Sequence, residues 1–174
     1  GLSKPSGGIQ NNDIQYLIKD MELLRKKLGV KKWVIFGGSW GSTLALKYAC
    51  EFPENVSALI LRGIFLASER EIDWFLLGLK RFIPTDWDKF VHNIPSQDIN
   101  SRIIINYYYE TIFSENKEQS INAAKLWRKW EEAAMRLTYA HEATEEKKEN
   151  HHKKMDEKVL TSMKVHLHYL KNKC

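Results

Sequence analysis

"VIFGGSWGSTLALKYA", residues 34–49, sets a serine between glycines, after an apolar run and before a helical pattern. Within it, Gly37-Gly38-Ser39-Trp40-Gly41 fits G-x-S-x-G. That pattern alone is common; a strand before it and a helix directly after it give it meaning. A sharp strand-to-helix turn forces its middle residue into a strained backbone conformation and lifts the side chain above the end of the sheet. Small residues two before and two after keep the neighbouring backbone from clashing. The stretch therefore predicts Ser39 as a catalytic nucleophile. The backbone N–H of Trp40 falls at the helix N-terminus, where unpaired donors and the helix dipole favour negative charge. It is the expected oxyanion-hole donor, a contact typically worth about 3 kcal/mol in the transition state. A Walker loop would need a lysine directly before Ser or Thr, and the dinucleotide fingerprint a different glycine spacing; neither is present.

Upstream, "GLSKPSGGIQNN", residues 1–12, reads as a loop, with Asn12 as the expected cap of the next helix. Ile14, Leu17, Ile18, Met21, Leu24 and Leu28 recur at helical spacing and predict one apolar stripe, stopped at Gly29. "KKWVIF" predicts a buried strand, Thr43 to Phe52 a helix closed by Pro53, and "VSALILRG" a second buried strand. Helix, strand, helix, strand with short connections implies parallel strands and an α/β architecture. Two strands do not make a stable sheet alone, so the chain reads as part of a larger one.

From about residue 68 the character changes. "EREIDWFLLGLKRFI", "SINAAKLWRKWEEAAMRLTYAHEA" and "MDEKVLTSMKVHLHYLKN" each predict helix. In "SRIIINYYYETIF" the β-branched and aromatic residues argue for strand and the context for helix; helix is the assignment. Residues 142–157 are poor in apolar side chains and predict an exposed loop or a frayed helix end.

A net charge of +5 raises nucleic acid as a partner, but the lysine clusters alternate with glutamates and no stacking motif accompanies them. No nucleic-acid partner is expected. No apolar run approaches the ~20 residues that cross a bilayer, so no membrane association is expected either. Cys50 and Cys174 suggest no disulfide framework, which makes the cytoplasm the expected setting. His151-His152 and His166-x-His168 match no ligand spacing, so no metal site and no cofactor are expected.

"WVIFGGSWGSTLALKYACEFPENVSALILRGIFL" resembles the nucleophile segment of proline iminopeptidases, prolyl aminopeptidases of the α/β-hydrolase fold. The resemblance continues through "EIDWF" and "AAKLWRKWE" and faintly to "HLHYL". It implies a partial α/β-hydrolase core over residues 1–67 and an incomplete, mostly helical cap over residues 68–174. It also implies the activity: Ser39 attacks the carbonyl of an N-terminal proline, forms an acyl-enzyme and releases the rest of the peptide. Phe65 and Phe75 match positions that wall the proline ring, although Phe65 just past a strand also reads as core. Glu131, in the "WE" match beside Trp127 and Trp130, is implied to hold the substrate's ammonium; without the match it reads as a surface glutamate. His166 stands where the family carries a second glutamate, which makes the amine site weaker than the family's. The HGGPG-type loop with the second oxyanion donor is absent.

In such hydrolases the order is Ser, then Asp or Glu, then His. The resemblance puts both triad partners after the cap, outside this chain, and no histidine or aspartate here is assigned to them. Without a base a serine hydroxyl is a poor nucleophile, so the piece alone is expected to be inactive. Two alternatives stay open: another capped α/β-hydrolase acting as an esterase or amidase, and an inactive relative serving as a binding module. The oligomeric state is not legible.

Overall fold

The first helix, α1 (Ile14–Lys27), begins on Asp13 in the computed structural model, which describes residues 7–137 and 152–172. Asp13 Oδ1 accepts from the N–H groups of Gln15 (2.9 Å) and Tyr16 (3.0 Å). Asn12, the expected cap, comes one residue too early; Asp13 has the extended backbone (φ −123°, ψ 176°) that the cap requires. At the other end Gly29 takes φ +66°, the left-handed conformation that stops the helix as expected.

The described residues fall into two compact units, residues 9–71, and residues 72–172 with residues 7–8. In the first, β1 (Trp33–Ser39) pairs in parallel with β2 (Val56–Ile64), with Phe36 opposite Ile60 and Ser39 opposite Ile64. The connecting helix α2 (Trp40–Glu51) packs on both strands. It starts at Trp40, three residues before the expected Thr43, because the strand runs straight into it. Both strands were expected to be buried, and one face is not: Val34, Phe36, Ile60 and Ile64 are 55–68% exposed. With two strands, α2 covers one face, α1 packs on α2, and nothing else in this unit covers the other face.

The expected apolar stripe of α1 is also only partly inward. Ile18 is fully buried, whereas Leu24 and Leu28 are more than half exposed. The helix instead turns Glu22 inward, only 7% exposed. That carboxylate accepts from Arg25 Nε (2.9 Å) and Nη2 (2.7 Å), from the buried Tyr48 hydroxyl of α2 (2.8 Å) and from Asn55 Nδ2 (3.2 Å). Arg25 also donates to the carbonyls of Val30 and Lys31, tying the end of α1 to the approach to β1. A buried charge persists only when its lone pairs are satisfied, and here they are.

The second unit is helical. The expected single helix from residue 69 is three pieces: α3 (Glu69–Asp73), a wider turn over Trp74–Gly78 and a tight one over Leu79–Arg81. Gly78 lies so close to the Trp74 indole that an added Cβ would stand 2.4 Å from its ring. Helices α4 (Pro84–Val91), α5 (Ser101–Ile112), α6 (Lys117–Arg136) and α7 (His152–Lys171) follow. Residues 101–112 are helical, as assigned, because Ile104, Ile105, Tyr108 and Ile112 bury one face. Residues 152–157, expected to be loop or frayed end, open α7; residues 142–151 of that stretch, and Cys174, lie outside the described residues. Phe90 centres the core, stacked between Tyr108 (4.8 Å) and Trp130 (5.1 Å) with Trp127 edge-on (5.6 Å). Among the described residues no helix is long and apolar enough to cross a membrane.

The hydrogen bonds from Arg25, chiefly, hold the Glu22 carboxyl down from 4.5 to about 2, against the opposing effect of burial. A depressed acid stabilises the fold above its unfolded value and ceases to do so as pH falls through its folded one. Urea midpoints of the wild type should therefore drop between pH 4.5 and about 2. Glu22→Gln should be less stable at neutral pH and flatter across that window.

Candidate active site

Ser39 ends β1 and opens α2 with φ +52° and ψ −123°, a conformation that L-residues rarely adopt. Such a backbone persists only where the surroundings hold it. Gly37 supplies one part of the reason. A Cβ there would stand 2.3 Å from the Gly41 carbonyl oxygen and 3.1 Å from Ala45 Cβ. At Gly41 an added Cβ meets nothing within 4 Å, so the need for a small residue lies at position 37 and in the Gly41 backbone. Ser39 is exposed, and its side chain does not cap the helix it begins.

Two hydroxyls that sequence reasoning passed over sit directly below. Ser42, fully buried, donates to the Ser39 carbonyl (2.6 Å) and accepts from the Phe65 N–H (2.9 Å). Thr43 donates to the Phe65 carbonyl (2.6 Å). Phe65, expected to wall a proline ring, is half-buried and has both backbone groups taken by α2. Beyond it, Glu71 accepts from the N–H groups of Leu66 and Ser68 (3.1 Å each), and Ser68 Oγ accepts from the Glu71 N–H (3.3 Å). This is a reciprocal capping box, legible in principle from Ser68-x-x-Glu71. The Ser68 hydroxyl, foremost, lowers the Glu71 carboxyl below its ordinary value. The loop from 65 to 68 is thereby pinned at both ends, with Ala67 at φ +55°.

The remaining expected site residues belong to the helical unit. Glu131 is on α6, and its Oε1 accepts from Trp127 Nε1 one turn earlier (3.1 Å). His166 of α7 brings Nδ1 to 3.3 Å from the same oxygen, its ring edge-on to Trp127 at 5.8 Å. The histidine in the expected glutamate register thus faces Glu131. Phe75 packs against the core with its ring 6.2 Å from Trp130. His168 pairs with Asn172 rather than with His166. Residues 9–71 contain no histidine, so this unit carries no imidazole base for Ser39.

Residues 1–145 match the family of the alpha/beta hydrolase fold, and the chain belongs to that family. It is similar to a proline iminopeptidase of Neisseria meningitidis, 41% identical over 139 residues that make up 79% of this chain and 44% of the relative. A proline iminopeptidase of Arabidopsis thaliana is 38% identical over 175 residues, 99% of this chain and 44% of the relative. A putative proline iminopeptidase of Mycoplasma genitalium is 40% identical over 133 residues, 75% and 43%. The chain spans less than half the length of these relatives.

Gly37→Ala should lower the stability of the residue 9–71 unit by about 3 kcal/mol, at the upper end of overpacking penalties. Gly41→Ala should change it by less than about 0.5 kcal/mol, since nothing crowds the new methyl. Paired urea titrations check the contrast, and equal losses at both positions would contradict it.

Proposed function

We propose that the chain carries the nucleophile and the amine-recognition residues of a serine aminopeptidase that releases an N-terminal proline from peptides. The observation that carries the reading is the exposed serine at φ +52° on a strand-to-helix turn. Ser39 Oγ attacks the proline carbonyl carbon; the carbonyl oxygen becomes an oxyanion facing the Trp40 N–H at the α2 N-terminus. Collapse of that intermediate breaks the C–N bond, the proton lost from Ser39 Oγ passes through the base to the departing nitrogen, and proline is left esterified to Ser39. Water then hydrolyses the ester, giving its hydroxyl to proline and its proton back to Oγ. The base and its acid partner are assigned to no residue of this chain.

Glu131 receives the substrate's ammonium, and Phe65 and Phe75 wall the proline ring. Trp127 supports this role, because its neutral N–H orients the carboxylate without cancelling its charge. In this reading residues 1–67 are a partial hydrolase core and residues 68–174 a helical cap. The enzyme works in the cytoplasm without metal or cofactor, on peptides rather than nucleic acid or membrane. Similarity to the named proline iminopeptidases supports the substrate class.

One observation favours a second reading. His166 Nδ1 stands 3.3 Å from Glu131 Oε1, so its ring takes up the carboxylate oxygen that a substrate cation would use, and this suits an esterase or amidase acting on uncharged substrates.

A proline-arylamide assay of the full-length protein tests both. Ser39→Ala should lose at least a thousandfold in kcat. Glu131→Gln should raise KM for the free-amine substrate about tenfold and leave a neutral ester's unchanged. Equal turnover by wild type and Ser39→Ala would overturn the nucleophile assignment; equal loss on amine and ester would favour the second reading.

A further inference from the structure

Phe65 lies just beyond the end of β2, where the β1–β2 ladder has already lost its regular register between Gly38 and Ser39. In place of a neighbouring strand, side chains of α2's first turn hold its backbone. The proton count is closed. Ser42 has one hydroxyl proton, and the 2.6 Å contact to the Ser39 carbonyl takes it. Its lone pair accepts the Phe65 N–H at 2.9 Å. The Phe65 carbonyl, 3.3 Å from Ser42 Oγ, receives instead the Thr43 proton at 2.6 Å. Ser42 is fully buried and Thr43 8% exposed, so water does not substitute readily for either.

We propose that Ser42 and Thr43 are positioning residues: Ser42 holds the strained Ser39 in its attacking orientation, and together they lock the Phe65 loop in register with it. This rests on the proposed nucleophile role of Ser39. The logic is geometric. Ser42 bonds to the carbonyl of the residue that carries the nucleophile, so removing it frees the Ser39 backbone to relax from φ +52°. Thr43 bonds only to Phe65, so removing it frees the loop and leaves Ser39 held. Thr43 therefore acts on KM alone, whereas Ser42, which holds both the Ser39 carbonyl and the Phe65 N–H, acts on kcat and KM together.

The test uses the full-length protein with proline-arylamide, comparing Ser42→Ala and Thr43→Val, the latter close to Thr in shape. Ser42→Ala should lower kcat about tenfold, within the range that a misplaced reacting group produces, and also raise KM about fivefold because it frees the Phe65 N–H. Thr43→Val should raise KM about fivefold with kcat within twofold. Backbone amide exchange at Phe65 should accelerate at least tenfold in Ser42→Ala, a readout independent of turnover. Thermal midpoints show that both variants are folded. Kinetic constants within twofold of wild type in both folded variants, or unchanged Phe65 exchange, would overturn the proposal. Failure of the nucleophile reading looks different, because Ser39→Ala then turns over like wild type.

Discussion

Between Gly37 and Gly41 the backbone approaches itself so closely that one added methyl group would stand 2.3 Å from a carbonyl oxygen. Everything distinctive about the first unit follows from tolerating that approach. The strand can turn into α2 with no intervening loop, so Ser39 belongs to both elements. It then takes a positive φ that costs on the order of 1–3 kcal/mol unless neighbours impose it. The constraint comes from two sides. The parallel ladder fixes Gly37 and Gly38 against Leu61 and Arg62, and the Ser42 hydroxyl fixes the Ser39 carbonyl from below. The strain is local and the restraint is distributed, which keeps the Ser39 side chain exposed on a rigid base.

The two units hold themselves together by different physics. In residues 9–71 the sheet has one bare face, so apolar burial is limited, and a satisfied buried carboxylate links α1, α2 and Asn55 instead. Such a network is specific but demanding, since losing one partner leaves a buried charge uncompensated. In the helical unit the cement is aromatic. Phe90, Tyr108, Trp127 and Trp130 meet at 4.8–5.6 Å in stacked and edge-on pairs, arrangements that add to area burial. The Tyr108 hydroxyl, buried among them, donates to the Phe90 carbonyl at 2.7 Å.

The elements legible in the sequence were those with a strong period or a backbone requirement. G-x-S-x-G made the sharp strand-to-helix turn at Ser39 legible because glycine at position 37 answers a steric demand that no other residue meets. The stop at Gly29 and the two parallel strands were readable for similar reasons. What escaped depended on tertiary partners. Glu22 has the spacing of a surface glutamate, and nothing local announces that Tyr48 and Asn55 will meet it. Leu24 and Leu28 fit the stripe, yet packing chose the face of Ile18 and Glu22. The Trp74–Gly78 turn kept a helical sequence pattern while the backbone widened. Ser42 and Thr43 look like ordinary helix residues until Phe65 is known to lie beneath them.

The same dependence governs Glu131. Its place beside Trp127 follows from helical spacing, since residues four apart share a face. Its pairing with His166 requires α7 to run along α6, a contact that Lys125–Asp156 (2.7 Å) also marks. Both donors converge on one carboxylate oxygen, Oε1. A neutral indole N–H fixes the carboxylate plane and leaves its full charge to attract a cation. An imidazole does the same only while it is uncharged and carries its proton on Nδ1. The carboxylate is thus oriented by an α6 indole N–H and by an α7 imidazole that meet at the same oxygen. The strength of any cation site on Glu131 is therefore set on α7 as much as on α6.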